Sequence, residues 1–136
     1  MVFIMTSLQM TPSLRKILFA DAATSAACCL LLSFCAGILA PLLGLSDVLL
    51  RVAGLSLLPF AAFVAYLATS GSSSRAAVWA VILCNAVWVI DSLLLLVGGW
   101  AQPTFLGYAF VAAQALVVGI FAELEFIALR RISALA

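Results

Sequence analysis

Four long runs of apolar residues, each near the twenty or so needed to cross a hydrocarbon layer as a helix, leave this chain few ways to fold. They cover about residues 17–40, 48–68, 76–97 and 104–129, and are parted by breakers: Pro41, a polar string from Thr69 to Ser74, Gly98-Gly99 and Pro103. The connections are a handful of residues each, so successive helices must be antiparallel neighbours. The expected fold is an all-α membrane protein, a four-transmembrane-helix up-down-up-down bundle making one domain of residues 1–136, with residues 1–14 a poorly structured leader. Only 8% of residues are charged and 68% are hydrophobic, whereas a water-soluble domain carries about 25% charged residues. The lipid bilayer is therefore the expected solvent and first partner.

Basic residues set the expected orientation. Arg15 and Lys16 precede the first run, Arg75 lies in the second connection, and Arg130-Arg131 close the fourth run; Arg51 stands by itself on the other side. Lysine and arginine gather on the cytoplasmic side, so both termini are expected there, in a bacterial inner (plasma) membrane crossed four times. Arg15-Lys16 before an apolar stretch also opens like a signal peptide, but the stretch outruns the roughly 7–15 residues of a cleavable apolar region. Met5 and Met10 are alternative starts. Trp100 and Tyr108 flank the outer end of the last two spans and Tyr66 the inner end of the second, as interfacial aromatics do.

Several chemistries are excluded early. The chain has no histidine, which removes His-ligated haem and zinc and Ser-His-Asp catalysis. A net charge of +1 offers no basic surface for nucleic acid. Cys28, Cys29, Cys35 and Cys84 lie inside spans with no C-x-x-C pair, so neither disulfide exchange nor a structural disulfide is expected. No metal, cofactor or enzymatic activity is expected.

Polar residues at membrane depth carry the functional question, because an ionisable group there costs about 2.5–3.5 kcal/mol on insertion scales. Asp21 and Glu123 are the acidic residues expected in the cytoplasmic leaflet; a close approach of the two would make a proton-coupled site. Glu125 points to nearly the opposite side of its helix from Glu123, so one of them reaches the headgroups and the other meets Asp21 or a basic residue. Arg51 can pair locally with Asp47, four residues earlier, or reach inward to Asp91 as an interhelical ion pair that locks the second and third spans in register. Pro59 frees the carbonyl of Leu55 in the middle of the second span. Asn85 and Gln114 lie at similar depth, with Trp88 and Asp91 on the same stripe of the third span. Asn85, Asp91, Gln114, Pro59 and Trp88 thus form a candidate polar ligand site; alternatively, Asn85 and Gln114 simply bond to each other between helices. Small residues four apart (Ala23 with Ala27, Ser33 with Gly37, Ala109 with Ala113, Ala115 with Gly119) mark close packing or a self-association face.

The strings Leu49-Leu50-Arg51-Val52-Ala53-Gly54, Leu57-Leu58-Pro59-Phe60, Cys84-Asn85-Ala86-Val87-Trp88 and Phe121-Ala122-Glu123-Leu124-Glu125 resemble a group of small bacterial four-span integral membrane proteins. The resemblance covers most of the chain and implies the fold without implying an activity. Two functions compete. A structural or accessory component, either a self-associating bundle (a homo-oligomer) or a small subunit of a larger membrane complex, is expected to leave no cavity. An oligomeric small-molecule or ion transporter is expected to show a midplane pocket around Asn85, Asp91, Gln114 and Pro59.

Overall fold

A computed structural model describes residues 7–135 as β1 (Ser7–Gln9), α1 (Pro12–Phe34), α2 (Ala36–Leu43), α3 (Asp47–Thr69), β2 (Ser72–Ser74), α4 (Arg75–Val97) and α5 (Phe105–Leu135). Four of these helices, α1, α3, α4 and α5, are long and apolar enough to cross a membrane. A hydroxyl closes the first turn of each. Thr11 accepts from the Leu14 amide at 3.2 Å, Ser46 from Leu49 at 3.0 Å, Ser74 from Ala77 at 3.1 Å and Thr104 from Gly107 at 3.1 Å. Each satisfies one of the amides that a helix start leaves without an internal partner.

These caps shift the expected boundaries. The first helix starts at Pro12 rather than near residue 17, because Thr11 caps it and a proline at the first helical position loses nothing. It breaks at Cys35 and restarts as α2, which runs through Pro41 instead of stopping before it. The missing proline N–H falls in a short, newly started helix, where few internal bonds exist to lose. Gly44, at φ 69°, ends α2 in the left-handed conformation that glycine adopts freely. Of the expected leader, residues 1–6 lie outside the described residues, and residues 7–14 are built into the fold. β1 pairs antiparallel with β2, Ser7 opposite Ser74 and Gln9 opposite Ser72. Leu8 and Met10 are buried beneath this ribbon.

The long helices alternate in direction and pack as two pairs. In the first, Arg15 at the start of α1 donates to the carbonyls of Ala68 (2.9 Å) and Ser70 (3.1 Å) at the end of α3. A cation on orphan carbonyls is favoured by the helix dipole. Further along, Gly54 of α3 lies so close to α1 that a Cβ there would stand 2.7 Å from Ser33 Oγ. In the second pair, Trp79 meets Phe126 edge-on at 5.7 Å, and the Tyr108 hydroxyl donates to the Leu96 carbonyl at 3.4 Å.

The two pairs touch chiefly at their ends. At the ribbon end, Leu14, Leu18, Val64, Leu67, Val78, Val81 and Leu129 form one apolar core. At the far end, Leu32, Ala36, Leu43, Leu45, Leu50 and Val111 form a second. There the Thr104 amide and hydroxyl donate to the carbonyls of Leu43 (3.0 Å) and Leu42 (2.6 Å), tying α2 to the start of α5. Gly107 permits the approach, since a Cβ on it would collide with the Leu43 carbonyl oxygen. Gly107→Ala is therefore expected to destabilise the fold by about 1–3 kcal/mol or more through overpacking. Thermal unfolding in detergent checks this, with Gly37→Ala as the control: nothing lies within 4 Å of a Cβ there, so its melting temperature should hold or rise.

A candidate ligand site between the two helix pairs

Buried residues recur along each long helix at steps of three and four, which keeps one stripe facing the bundle axis. In α1 the stripe reads Leu14, Leu18, Asp21, Ser25, Cys29 and Leu32. In α4 it reads Val78, Val81, Ile82, Asn85 and Ser92, and in α5 it includes Val111, Ala115, Glu125 and Leu129. The pattern that elsewhere specifies an apolar core thus delivers an acid, an amide and a second acid to the axis. At 1.5 Å of rise per residue, Asp21, Asn85 and Glu125 all lie roughly 14–15 Å along their helices from the ribbon end.

They meet there. Asn85 Nδ2 donates to Asp21 Oδ2 at 2.8 Å and to Glu125 Oε1 at 2.9 Å, so one amide group bridges two carboxyl groups on two other helices. Ser25 Oγ lies 3.4 Å from Asp21 Oδ1. Asp21 is 1% exposed, Asn85 3% and Glu125 0%. The remaining oxygen, Glu125 Oε2, is buried without a hydrogen-bond partner.

A second polar cluster sits toward the α2 end. Trp88 Nε1 donates to Gln114 Oε1, and Gln114 Nε2 donates to Ser92 Oγ at 2.9 Å and to the Val111 carbonyl at 2.9 Å. Ser92 Oγ in turn donates to the Trp88 carbonyl at 2.8 Å. The indole, amide and hydroxyl satisfy one another across α4 and α5.

Between these clusters and α3 opens a cleft of about 870 Å³. Asp21, Ser25, Asn85, Trp88, Ser92 and Gln114 line it on one side; Leu49, Ala53, Ser56, Leu57 and Phe60 of α3 line the other. A gap of this size is in the range of pockets that hold small molecules, which are mostly apolar with a few convergent polar groups.

Some expected neighbours are brought together and others are not. Asn85, Trp88 and Gln114 do line one cavity, but Asn85 and Gln114 bond to different partners rather than to each other. The expected Arg51–Asp91 pair does not form. Arg51 lies 4.0 Å from Asp47, with both side chains more than half exposed, and Asp91 stands at the cleft rim beside Cys84 and Trp88. The local partner one turn away is reached without the entropy of holding a long side chain across a helix interface. Pro59 is exposed on α3 and faces away from the cleft. Glu123 is exposed as well, and Glu125 takes the place beside Asp21 expected for Glu123. Glu125 lies seven residues beyond Val118 and four before Leu129, on the stripe that already faces inward, and Glu123 lies about 200° away from it. Ser25 and Ser92 are cleft residues that sequence reasoning misses, although each sits one turn beyond a polar stripe residue. The four cysteines are free, and no group of three metal-ligating side chains occurs among the described residues.

Searches against protein-family models, curated proteins and solved structures returned no match, so the resemblance to small bacterial four-span proteins gains no support from them. Asn85→Leu is expected to destabilise the protein by at least about 1–3 kcal/mol, because it removes the donor from two buried carboxyl groups. Asp91→Asn, at an exposed position, is expected to stay within about 0.5 kcal/mol of the parent. Paired unfolding curves in one detergent check both.

Proposed function

We propose that this chain is a small-molecule transport protein of a bacterial inner membrane, binding an amphipathic solute in the cleft between its two helix pairs. The observation that carries this reading is the cleft itself: about 870 Å³ at mid-depth, with polar groups from three helices turned into it. A bundle whose only task is structural gains nothing from leaving such a gap, since unfilled apolar walls forfeit dispersion contacts. Within this reading both termini lie in the cytoplasm. Arg15, Lys16, Arg75, Arg130 and Arg131 belong to the ribbon end and Arg51 to the other, the asymmetry expected of a cytoplasmic face. The chain acts by binding rather than by catalysis, with no cofactor.

A second reading, the accessory or self-associating component, has its own observation. Ala23 and Ala27 lie exposed on the outer face of α1, a smooth strip against which another helix could pack closely. The two readings are compatible if the transporter works as an oligomer.

Tryptophan fluorescence separates a solute site from mere lipid solubility. Trp88 and Trp100 line the cleft, whereas Trp79 packs against Phe126. In a Trp79→Phe background, a neutral brominated arene is expected to quench emission saturably. Ala53→Phe, which pushes a ring into the cleft, should weaken that saturable component at least tenfold. Quenching that rises linearly in both proteins would mean that the arene only dissolves in the surrounding lipid, and the transport reading would fail.

A further inference from the structure

The hydrogen bonds of the Asp21–Asn85–Glu125 cluster do not use every acceptor. Two carboxyl groups present four acceptor oxygens. The donors are the two N–H groups of Asn85, both already spent, and the Ser25 hydroxyl at 3.4 Å. Glu125 Oε2 is left over, buried and turned into the cluster, where Asp21 is the charged group that faces it. A proton held between the two carboxyl groups would complete the set; with both acids ionised, a positive charge beside Asp21 would have to balance the pair.

None of the residues that line the cleft is cationic. From α1 the ionisable groups near the cleft are Asp21 and Cys28; from α4 they are Cys84 and the rim residue Asp91; from α5 Glu125 faces inward; and the α3 lining, including Ser56, Leu57 and Phe60, has none nearby. Arg15 is committed to the Ala68 and Ser70 carbonyls, and Arg51 sits beside Asp47 in the open. Burying unbalanced charge in a membrane costs several kcal/mol, so the missing positive charge has to come from outside this cluster. Two sources fit: a proton, or the cationic group of a solute in the cleft. The cleft reaches the cluster at Asp21, with Glu125 buried behind it, and continues along Trp88, Phe60, Phe110 and Phe121, aromatic residues that suit an organic cation and are poor ligands for a hydrated metal ion.

Building on the transport reading, we propose that Asp21 and Glu125 form a single exchange site at which a proton and the cationic group of a lipophilic organic cation compete. The exchange is one for one. The carboxyl pair gives up one proton to water as the cation settles in the cleft against Asp21, so the buried net charge is the same before and after. Asn85 is the positioning residue, holding both carboxyl groups toward each other without contributing charge.

The test uses the full chain in detergent, with protein-free micelles as blank and three probes: tetraphenylphosphonium, which has no proton of its own, neutral triphenylphosphine oxide, and sodium ion. Tetraphenylphosphonium is expected to bind saturably and release about one proton per cation into weakly buffered solution. By linkage its affinity should rise roughly tenfold per pH unit wherever one proton is displaced. The double variant Asp21→Asn/Glu125→Gln, close to isosteric, is expected to keep binding triphenylphosphine oxide, to lose the proton release, and to bind the cation at least tenfold more weakly. The wild-type proton count needs no variant and so stands even if the double variant does not fold. Cation binding without proton release, release that persists in the double variant, or equal release by millimolar sodium would each overturn the exchange site. If the neutral probe binds saturably and the cation does not, exchange fails while the transport reading stands; if neither binds saturably, both fail.

Discussion

An asparagine side chain has two N–H groups, and at Asn85 both are spent on carboxyl oxygens from different helices. In water that would be a minor contact. In a hydrocarbon layer, where an unsatisfied polar group costs several kcal/mol, it sets the geometry of the bundle's middle. Asp21 belongs to the α1–α3 pair and Glu125 to the α4–α5 pair, so the amide joins the two pairs at a level where apolar packing between them is sparse. Interhelical hydrogen bonds of this kind are worth about 0.6–2 kcal/mol each. That is too little to hold a bundle together unaided, but it suffices to fix how two already formed pairs sit against each other.

Rigidity is distributed accordingly. Within the first pair, Gly54 lets the backbones of α1 and α3 nearly touch, and Arg15 closes the end of α3. Between the pairs, firm contact is confined to the two apolar cores and to the Thr104–Leu43 link at the far end. The span between the cores is lined by small or short side chains such as Ala53, Ser56, Ser25 and Ser92. The larger lining residues, Leu57, Phe60, Trp88 and Phe110 among them, do not fill the space, and it persists as a cleft. Leucines at those positions would have closed it with ordinary core packing, at some gain in dispersion energy. The sequence forgoes that gain just beyond the acids, where Ser25, Ser56, Ala53 and Ser92 lie about one to two helical turns farther from the ribbon end.

The helical architecture is largely legible in the residues, because twenty-residue apolar runs between breakers admit little else. The differences are local. A start near residue 17 misses the Thr11-Pro12 cap, and a stop before Pro41 misses a helix break at Cys35 for which the apolar run gives no sign. At the site, the chemistry of Asn85, Trp88, Gln114 and Asp21 is enough to single them out, and the structure gathers all four around one cleft. Their partners are harder to read, because charge complementarity competes with helical phase. Arg51 and Asp91 are opposite in charge but lie on faces that do not meet, whereas Asp21 and Glu125 are alike in charge and share the axis. Phase along the α5 stripe of Val111, Val118 and Leu129 selects Glu125 over Glu123. The cleft itself is beyond one-dimensional reading, since it depends on how far α4 stands from α3, which no periodicity records.

Placing two acids on the axis also determines how they can be reached and how the bundle responds. Below the acids, the core around Leu14, Leu18, Val64, Val78 and Val81 closes the ribbon end, so a group arriving from solvent or lipid must come through the cleft. Once there it meets the atoms that join the helix pairs. In the proposed exchange site, an occupant seated against Asp21 would alter the strength of its bond to Asn85, and with it the preferred setting of α1–α3 against α4–α5. A ligand shifts a conformational equilibrium only by its differential affinity for the two states. Here that differential has a physical seat, because the bonds sensed by an occupant of the site are the same ones that hold the pairs in register at mid-depth. Under the proposed exchange, occupancy and pair geometry are therefore one coupled variable. A polar bridge placed elsewhere, between two helices of the same pair, would have stabilised the bundle without giving it that property.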